Sequence, residues 1–384
     1  QQQNAPTPTR TPTAQHTQQS LHRYRNNNIP FYNPEVKTTF GDSIRDPTDP
    51  DCTRVYGLNV NGLSAAQDCM DIGLTAQSIR ESHATIFGLI ETNLDWNQKN
   101  LQFQAHKSIY KTLRTPTKIA TASAAVQRTR TAGTYLPGGT MTVVTGNWTG
   151  RVTKAAMDDR ALGRWSYITI IGKADASLTI ITAYQVCKQS TKHAGPDTAF
   201  NQQWTLLRME GIKNPDPRNQ FIDDLTAFIK QIRQHPNHEI ILMIDANDHP
   251  TNRGSKLNQF AQATKLIDVH ATLHGTANEP NTYQRGSQRI DFMFCSPGVL
   301  QHITRAGIEG FCDTTPSDHR GLFCDVNLNK VLAGQSNELG RPSHRDFNSN
   351  SPKDVRLFRK TVLKHLQQHN VQLRLENLTQ DTIT

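Results

Sequence analysis

The chain has 384 residues, of which 35% are hydrophobic, and a net charge of +9 with a pI of about 9.3. That composition supports one large domain or two ordinary ones and excludes a wholly disordered chain. Six cysteines are too sparse for a disulfide scaffold, none sits at zinc-finger spacing, and no apolar run has the length of a membrane span or a signal peptide, so a nuclear or cytoplasmic protein with an anionic partner is expected.

Residues 1–50 hold seven prolines, many Gln and Thr, and five basic against four acidic side chains; they read as a disordered tail. Arg54–Val60 reads as a strand, and residues 66–82 as a helix with Met70, Leu74 and Ile79 inward. Ala84–Ile90, Met141–Val144, Tyr167–Ile171 and Leu178–Tyr184 are apolar, β-branched runs of strand length. In Asn219–Ile232, Phe221, Ile222, Leu225, Phe228, Ile229 and Ile232 recur at helical spacing. A strand at Glu239–Ile244, a helix at 256–264, and strands at Ile290–Cys295 and Leu322–Val326 complete a domain over 51–329. Residues 330–350 read as a polar linker. A helical segment, 351–384, opens on a Ser351 cap and Pro352 and shows Val355, Phe358, Val362 and Leu366 on one face. It fits a partner, or a further domain beyond residue 384, and the Gln at position 1 reads as a piece of a longer protein.

Apolar strands in this chain end abruptly in polar groups. Arg54–Val60 runs into Asn59-Val60-Asn61, Ala84–Ile90 into Glu91, Leu178–Ala183 into Tyr184, and Glu239–Ile244 into Asp245-Ala246-Asn247. Arg289-Ile290-Asp291 opens one strand, and Ser317-Asp318-His319 precedes the last. Any one of these reads as a turn. Together they supply hard oxygen ligands, amides, a phenol and an Asp/His pair. Such groups suit a Mg²⁺ site and the cleavage of a phosphodiester.

These motifs, in this order, resemble the endonuclease/exonuclease/phosphatase superfamily over about residues 53–329: Asn59 and Asn61, Glu91 in LIETN, Tyr184 in ITAYQ, Asp245 and Asn247 in MIDAND, Arg289 and Asp291 in QRIDFMF, and Ser317-Asp318-His319. The resemblance implies a four-layered α/β sandwich, in which two packed, mainly antiparallel sheets are flanked by helices (DNase I-like). It implies Glu91 as the main ligand of Mg²⁺, with Mn²⁺ as the alternative, and Asn61 and Asp318 acting through the outer shell of the metal. Asp245, with Asn247 beside it, would orient water, Asn59 and Tyr184 would hold phosphate oxygens, and His319, held by Asp291, would stabilise developing charge. The chain departs from the pattern at Asn61, where several relatives have Asp. It departs again after Tyr184, where Gln185-Val186-Cys187-Lys188 replaces a Pro-Asn pair and Lys188 or Gln189 would substitute.

Residues 99–157 carry nine Lys or Arg and no Asp or Glu. Lys107, Lys111, Arg114, Lys118, Arg128 and Arg130, with Lys188 and Arg289, are therefore candidate contacts to a DNA backbone. Of the aromatics Tyr110, Tyr135, Trp148 and Trp165, most are expected in the core. Within the superfamily the layout is similar to a non-LTR retrotransposon endonuclease that nicks target DNA, leaves a 3′ hydroxyl and precedes a reverse transcriptase in one polyprotein. The rivals are an apurinic-site or exonuclease III-like repair nuclease, a phosphatase of the same fold, and an inactive nucleic-acid-binding module.

Overall fold

The β-branched runs become strands and the runs of period 3.6 become helices, as their side-chain spacing requires. The computed structural model describes residues 39–126, 133–187, 197–334 and 351–380. In chain order the elements begin with β1 (Phe40–Gly41), β2 (Thr53–Asn59), α1 (Ala66–Glu81), β3 (Ala84–Ile90), α2 (Lys99–Leu113), β4 (Thr117–Ala122) and β5 (Thr140–Thr145). After a 3-10 turn at Gly146–Arg151 come β6 (Val152–Met157), β7 (Trp165–Ile171), β8 (Ser177–Tyr184), α3 (Ala199–Met209), α4 (Pro217–Ile232) and β9 (His238–Asp245). Then follow α5 (Leu257–Thr264), β10 (Ile267–Asp268), α6 (Val269–His274), β11 (Asp291–Cys295), α7 (Pro297–Leu300), β12 (Ile303–Ile308), β13 (Leu322–Val326) and α8 (Leu328–Val331).

The strands form two sheets, ordered β1-β12-β13-β2-β3-β5-β4 and β10-β11-β9-β8-β7-β6. Among the described residues only β2/β3 and β8/β9 pair in parallel; every other strand pairing there is antiparallel. Side-chain alternation along each strand builds the layers. From β2 and β3, Val55 and Ile86 point into the core between the sheets and meet Ile180, Ile241 and Met243. Tyr56, Leu58, Phe87 and Leu89 point outward against Ile72, Ala76 and Ile79 of α1 and Leu101, Ala105 and Ile109 of α2. On the other side Ile181, Leu242 and Ile244 pack against Phe221, Leu225 and Ile229 of α4 and Phe260 of α5. The result is the expected four-layered arrangement of two sheets flanked by helices.

Two glycines set the spacing between the sheets. Gly57 and Gly88 are register partners on β2 and β3. A Cβ at Gly88 would lie 2.4 Å from Thr182 Oγ1 and 2.8 Å from Met243, and one at Gly57 would lie 3.0 Å from Met243. The sheets are thus closest two or three residues below the strand ends.

Two sequence expectations change. In α1 the buried residues are Cys69, Ile72, Gly73, Thr75, Ala76 and Ile79, while Met70 and Leu74 are half-exposed. At about 100° per residue, positions 70 and 74 fall on the side of the helix opposite Ile79, so the inward stripe is the one that contains Ile72 and Ala76. The second change concerns the segment before residue 51. Phe40 and Gly41 pair with Ile308 and Gly307, and Ile44 is buried in the core under α1. Fully buried Arg54 explains why this segment is fixed: its guanidinium pairs with Asp325 at 2.7 and 2.8 Å and donates to the carbonyls of Ile44, Ser82 and Asp46. Residues 1–38 of the expected tail lie outside the described residues, as do 335–350 of the linker.

The segment Arg341–Thr384 forms a separate compact unit. It contains α9 (Pro352–Gln368) and α10 (Val371–Gln380), with Ser351 Oγ capping the Asp354 amide at 3.3 Å and Pro352 at the first turn. No described helix is long and apolar enough to cross a membrane.

A chain that starts at residue 39 keeps every bond to Arg54, whereas one that starts at 51 loses the Ile44 and Asp46 carbonyls, the Ile44 side chain and β1. The shorter chain is expected to be less stable by on the order of 3 kcal/mol or more. Thermal melts of the two truncations read the difference; equal melting temperatures would refute the anchoring role.

Candidate active site

All the polar strand ends meet at one end of the sandwich, and the register explains how. Asn59 is aligned with Ile90 across the parallel pair β2/β3, which puts Glu91 beside it. Asp245, the last residue of β9, is the register partner of both Tyr184 and Asp291. Leu322 pairs with Gly57, so His319 arrives at the same level on the other side of β2. Glu91 (φ 55°), Asn61 (φ 47°) and Asn247 (φ 43°) turn into the left-handed region as the chain leaves the sheets. Asn tolerates that conformation; Glu91 does so at a cost of about 1 kcal/mol, which the surrounding structure sustains.

Asn59 joins the sheets. It is fully buried, and its Nδ2 donates to Glu91 Oε2 at 3.0 Å and Asp245 Oδ2 at 2.7 Å. Its Oδ1 accepts from the Asn61 amide at 2.9 Å. Both amide hydrogens are committed to carboxylates, and Asn59 thereby holds Glu91 and Asp245 together. Asn61 Nδ2 donates to Asp318 Oδ2 at 3.0 Å. His319 Nδ1 lies 2.9 Å from Asp291 Oδ2, and Ser317 links this loop to β2 by donating to the Asn59 carbonyl at 2.5 Å while accepting from the His319 amide at 3.0 Å. The Tyr184 hydroxyl is buried beside Glu91 and Cys187, and burial, with the charge of Glu91 adding to it, pushes the phenol well above its usual range.

The electrostatics follow from burying so many acids together. Burial raises the Glu91 carboxyl above its usual range, partly offset by the Asn59 amide and the charge of His319. Asp245 is raised by burial and then by the Asp291 charge. Burial alone would lower His319, but Asp291, with Asp245 and Asp318, outweighs it and lifts the imidazole to about 10. The ring is therefore charged at neutral pH.

Asp245, Asp291 and His319 offer ligand atoms that all lie within 4.8 Å of one another, a set able to hold a metal ion. Asp291 Oδ1 and Asp318 Oδ1 are buried with no hydrogen-bond partner. A buried carboxylate oxygen without a donor is costly unless a cation faces it, so these residues fit a divalent ion.

The basic candidates scatter. Lys107 and Lys111 are exposed on the outer side of α2 and Arg114 is its C-cap, so all three stand on a helix flank, away from the mouth of the site. Lys118 is half-buried on β4. Arg289 is not a surface cation: it is 3% exposed, ion-paired with Asp268 and Glu279, and stacked 4.4 Å over Phe292. Arg128, Arg130 and Lys188 lie outside the described residues. Trp148 and Trp165 are core residues, whereas Tyr110 and Tyr135 are exposed.

Four contributors escaped the sequence reading. Thr282 Oγ1 accepts from the amides of Ile290 and Asp291 and so fixes the start of β11. The Tyr283 ring lies 5.0 Å from that of His319. Arg218, in the first turn of α4, donates to the carbonyls of Val186 and Asn247. Glu309, behind the His319 loop, accepts from Tyr56 and Thr314, each at 2.5 Å. Only Cys187 carried a signal, as a departure at a known place: its Sγ donates to Asn247 Oδ1 at 3.1 Å, while Asn247 Nδ2 donates to the Gln185 carbonyl at 2.8 Å. The thiol and that carbonyl together fix which way the Asn247 amide faces.

Two tests follow from these contacts. Burial lifts the Glu309 carboxyl to about 7, above its value in an unfolded chain. The folded state then binds the extra proton, so this group's contribution to stability is full below about pH 4.5 and is lost as pH rises through 7. Glu309→Gln should flatten that decline in melts between pH 5 and 8; an unchanged slope would refute the assignment. For Cys187, Cys187→Ser should keep cleavage within about threefold, while Cys187→Val, which lacks a donor, should lower it roughly tenfold or more. Equal rates for the two variants would remove the thiol from the site.

A sequence profile described as the Endonuclease/Exonuclease/phosphatase family matches residues 57–319. No curated protein sequence matches the chain. Among solved structures, the chain is similar to the AP endonuclease LMAP of Leishmania major, with 13% identity, a TM-score of 0.52, and coverage of 76% of this chain and 93% of that one. It is also similar to the human Nocturnin catalytic domain, with 15% identity, a TM-score of 0.49, and coverage of 75% and 96%. The endonuclease domain of TRAS1, a telomere-specific non-LTR retrotransposon, is matched at 15% identity, a TM-score of 0.43, and coverage of 72% and 98%. The profile spans both sheets and every strand-end motif from β2 to His319, and the chain belongs to the endonuclease/exonuclease/phosphatase family.

Proposed function

We propose that the chain is a divalent-metal-dependent phosphodiesterase that cleaves DNA. The observation that carries the reading is the cluster itself: Glu91, Asp245, Asp291 and Asp318 converge with charged His319, and two of their carboxylate oxygens have no donor. Mg²⁺ or Mn²⁺ would be held by Glu91 and Asp318, with Asn61 beside them. When bound, the ion supplies positive charge to the phosphoryl oxygens and lowers the pKa of a water. Asp245, in its ionised form, accepts a proton from the attacking water, and Asn247 fixes its orientation through the 2.9 Å bond from its backbone amide. His319, kept protonated by Asp291, donates to a phosphate oxygen and carries its developing charge. Asn59 keeps the two carboxylates in place throughout.

Within DNA chemistry, the apurinic-site or exonuclease III-like reading stands first. The AP endonuclease of Leishmania major is matched over 76% of the chain, and an active site of this kind needs no polyprotein context. Target nicking for a retrotransposon uses the same chemistry and differs only in the DNA that is chosen. The phosphatase reading is the rival that the basic window of residues 99–157 disfavours.

Supercoiled plasmid, abasic duplex, blunt duplex, RNA and a soluble inositol phosphate, each with Mg²⁺ and with chelator, separate these readings. Metal-dependent incision of abasic duplex is expected; turnover of the inositol phosphate alone would put the phosphatase first. Glu91→Gln should lower the rate on the order of 100-fold with an unchanged melt. Asp291→Asn and His319→Ala should each cost as much as the double mutant, since the pair acts as a unit. Full additivity would separate the two residues.

A further inference from the structure

Helix α2 turns one face to the core and leaves the other with a composition that neither core nor site explains. Leu101, Ala105 and Ile109 are buried under it. On the opposite side Lys99, Phe103, Lys107, Tyr110 and Lys111 fall within about 120° of the helix circumference, at 100° per residue, and Arg114 continues the row as C-cap. All six are exposed, and the two rings are strongly so, Phe103 at 65% and Tyr110 at 55%. The four cations enter none of the ion pairs among the described residues, and no acid occurs in the sequence from 99 to 157. An ordinary solvated helix face mixes charges, whereas this one carries a single sign together with two exposed rings.

The direction of the row is fixed by the sheet register. Ala122 pairs with Thr140, which pairs with Ile90 at the site end, whereas Thr117 pairs with Thr145 at the far end. Helix α2 leads into Thr117, so it starts near the site and runs to the opposite end of the sandwich. Its 15 residues make a row about 22 Å long at 1.5 Å per residue. Cations alternate with aromatic faces along it.

We propose that this face of α2 is a track for single-stranded nucleic acid that leads away from the active site. Phosphates need the cations, and flat, unstacked bases are the ligand groups that suit isolated, exposed rings; duplex DNA has its base faces already stacked. The track holds the strand that the site has cut or is about to cut, and in this sense it rests on the nuclease reading above.

The test compares a blunt duplex with the same duplex carrying a single-stranded extension of about ten nucleotides, bound in chelator across a salt series. The probes are wild type, the triple variant Lys107→Gln/Lys111→Gln/Arg114→Gln, and the double variant Phe103→Ala/Tyr110→Ala. The extension should raise wild-type affinity roughly tenfold. The charge variant should lower the slope of log affinity against log salt by about 2, at ~0.7 per contact on a single strand. The ring variant should lose most of the gain from the extension with little change of slope, and Phe103→Tyr/Tyr110→Phe should restore it. Cleavage of the blunt duplex should be unchanged in all variants. Equal wild-type affinity for blunt and extended duplexes, or unaltered binding by both variants, overturns the track while blunt-duplex cleavage leaves the nuclease reading intact. Binding of wild type to phosphatidylserine vesicles but not to the extension would overturn it in favour of a membrane surface. Absence of DNA cleavage by wild type would instead remove the reading on which the track rests.

Discussion

The side-chain amide of Asn59 is the tie on which the active end of the molecule depends. It has two hydrogens and gives one to a carboxylate of each sheet, Glu91 on one side and Asp245 on the other. Two buried carboxylates at this spacing repel each other and have lost their water. A neutral donor between them relieves both problems without adding a competing charge. Its remaining oxygen is bonded to the Asn61 amide, so the group has no freedom left to rotate. An Asp in this position would add a third negative charge and an acceptor where two donors are required.

Around that tie the charges are arranged in graded fashion. Asp291 and His319 form a pair that is nearly neutral as a unit, bonded at 2.9 Å and buried behind Tyr283. Asp318 is held through one oxygen by Asn61, and its other oxygen is buried without a donor. Loops that bring these groups in are anchored far from the chemistry: Arg218 fixes the segments after β8 and β9, Ser317 fixes the last loop to β2, and Glu309 with Tyr56 fixes its base. Rigid strands thus supply Asp245 and Asp291 and lead directly into Glu91, and buried polar contacts make the loop residues nearly as rigid.

Much of this was legible in the sequence because strand ends are marked by the switch from β-branched to polar residues. Glu91, Asp245, Asp291 and His319 all stand at such switches, and the structure brings them together. The roles of individual residues were less legible, because burial and pairing are not written in a motif. Arg289 looks like a phosphate contact until Asp268 and Glu279 are seen to enclose it. Nor does its motif reveal that Asn59 gives both of its amide hydrogens to Glu91 and Asp245. Strands β4 and β6 were missed because edge positions and half-exposed residues blur the alternation that marks a strand. In α1 the error was one of phase: Met70 and Leu74 are apolar but face water, and small residues such as Gly73 and Ala76 face the core where α2 packs closely.

The spacing of the active carboxylates is finally a matter of missing atoms. Below the site the sheets touch where Gly57 and Gly88 lie side by side, and the two positions differ in what faces them. A methyl group at 57 would meet the flexible side chain of Met243, which can swing aside; one at 88 would meet the β-branched Thr182, whose stiff rotamer and bond to Thr142 leave it nowhere to go. Position 88 therefore behaves as a shim of zero thickness. Anything thicker would wedge the sheets apart, and the lever arm of the strands above it would carry that gap up to Asn59, stretching the one amide that spans it.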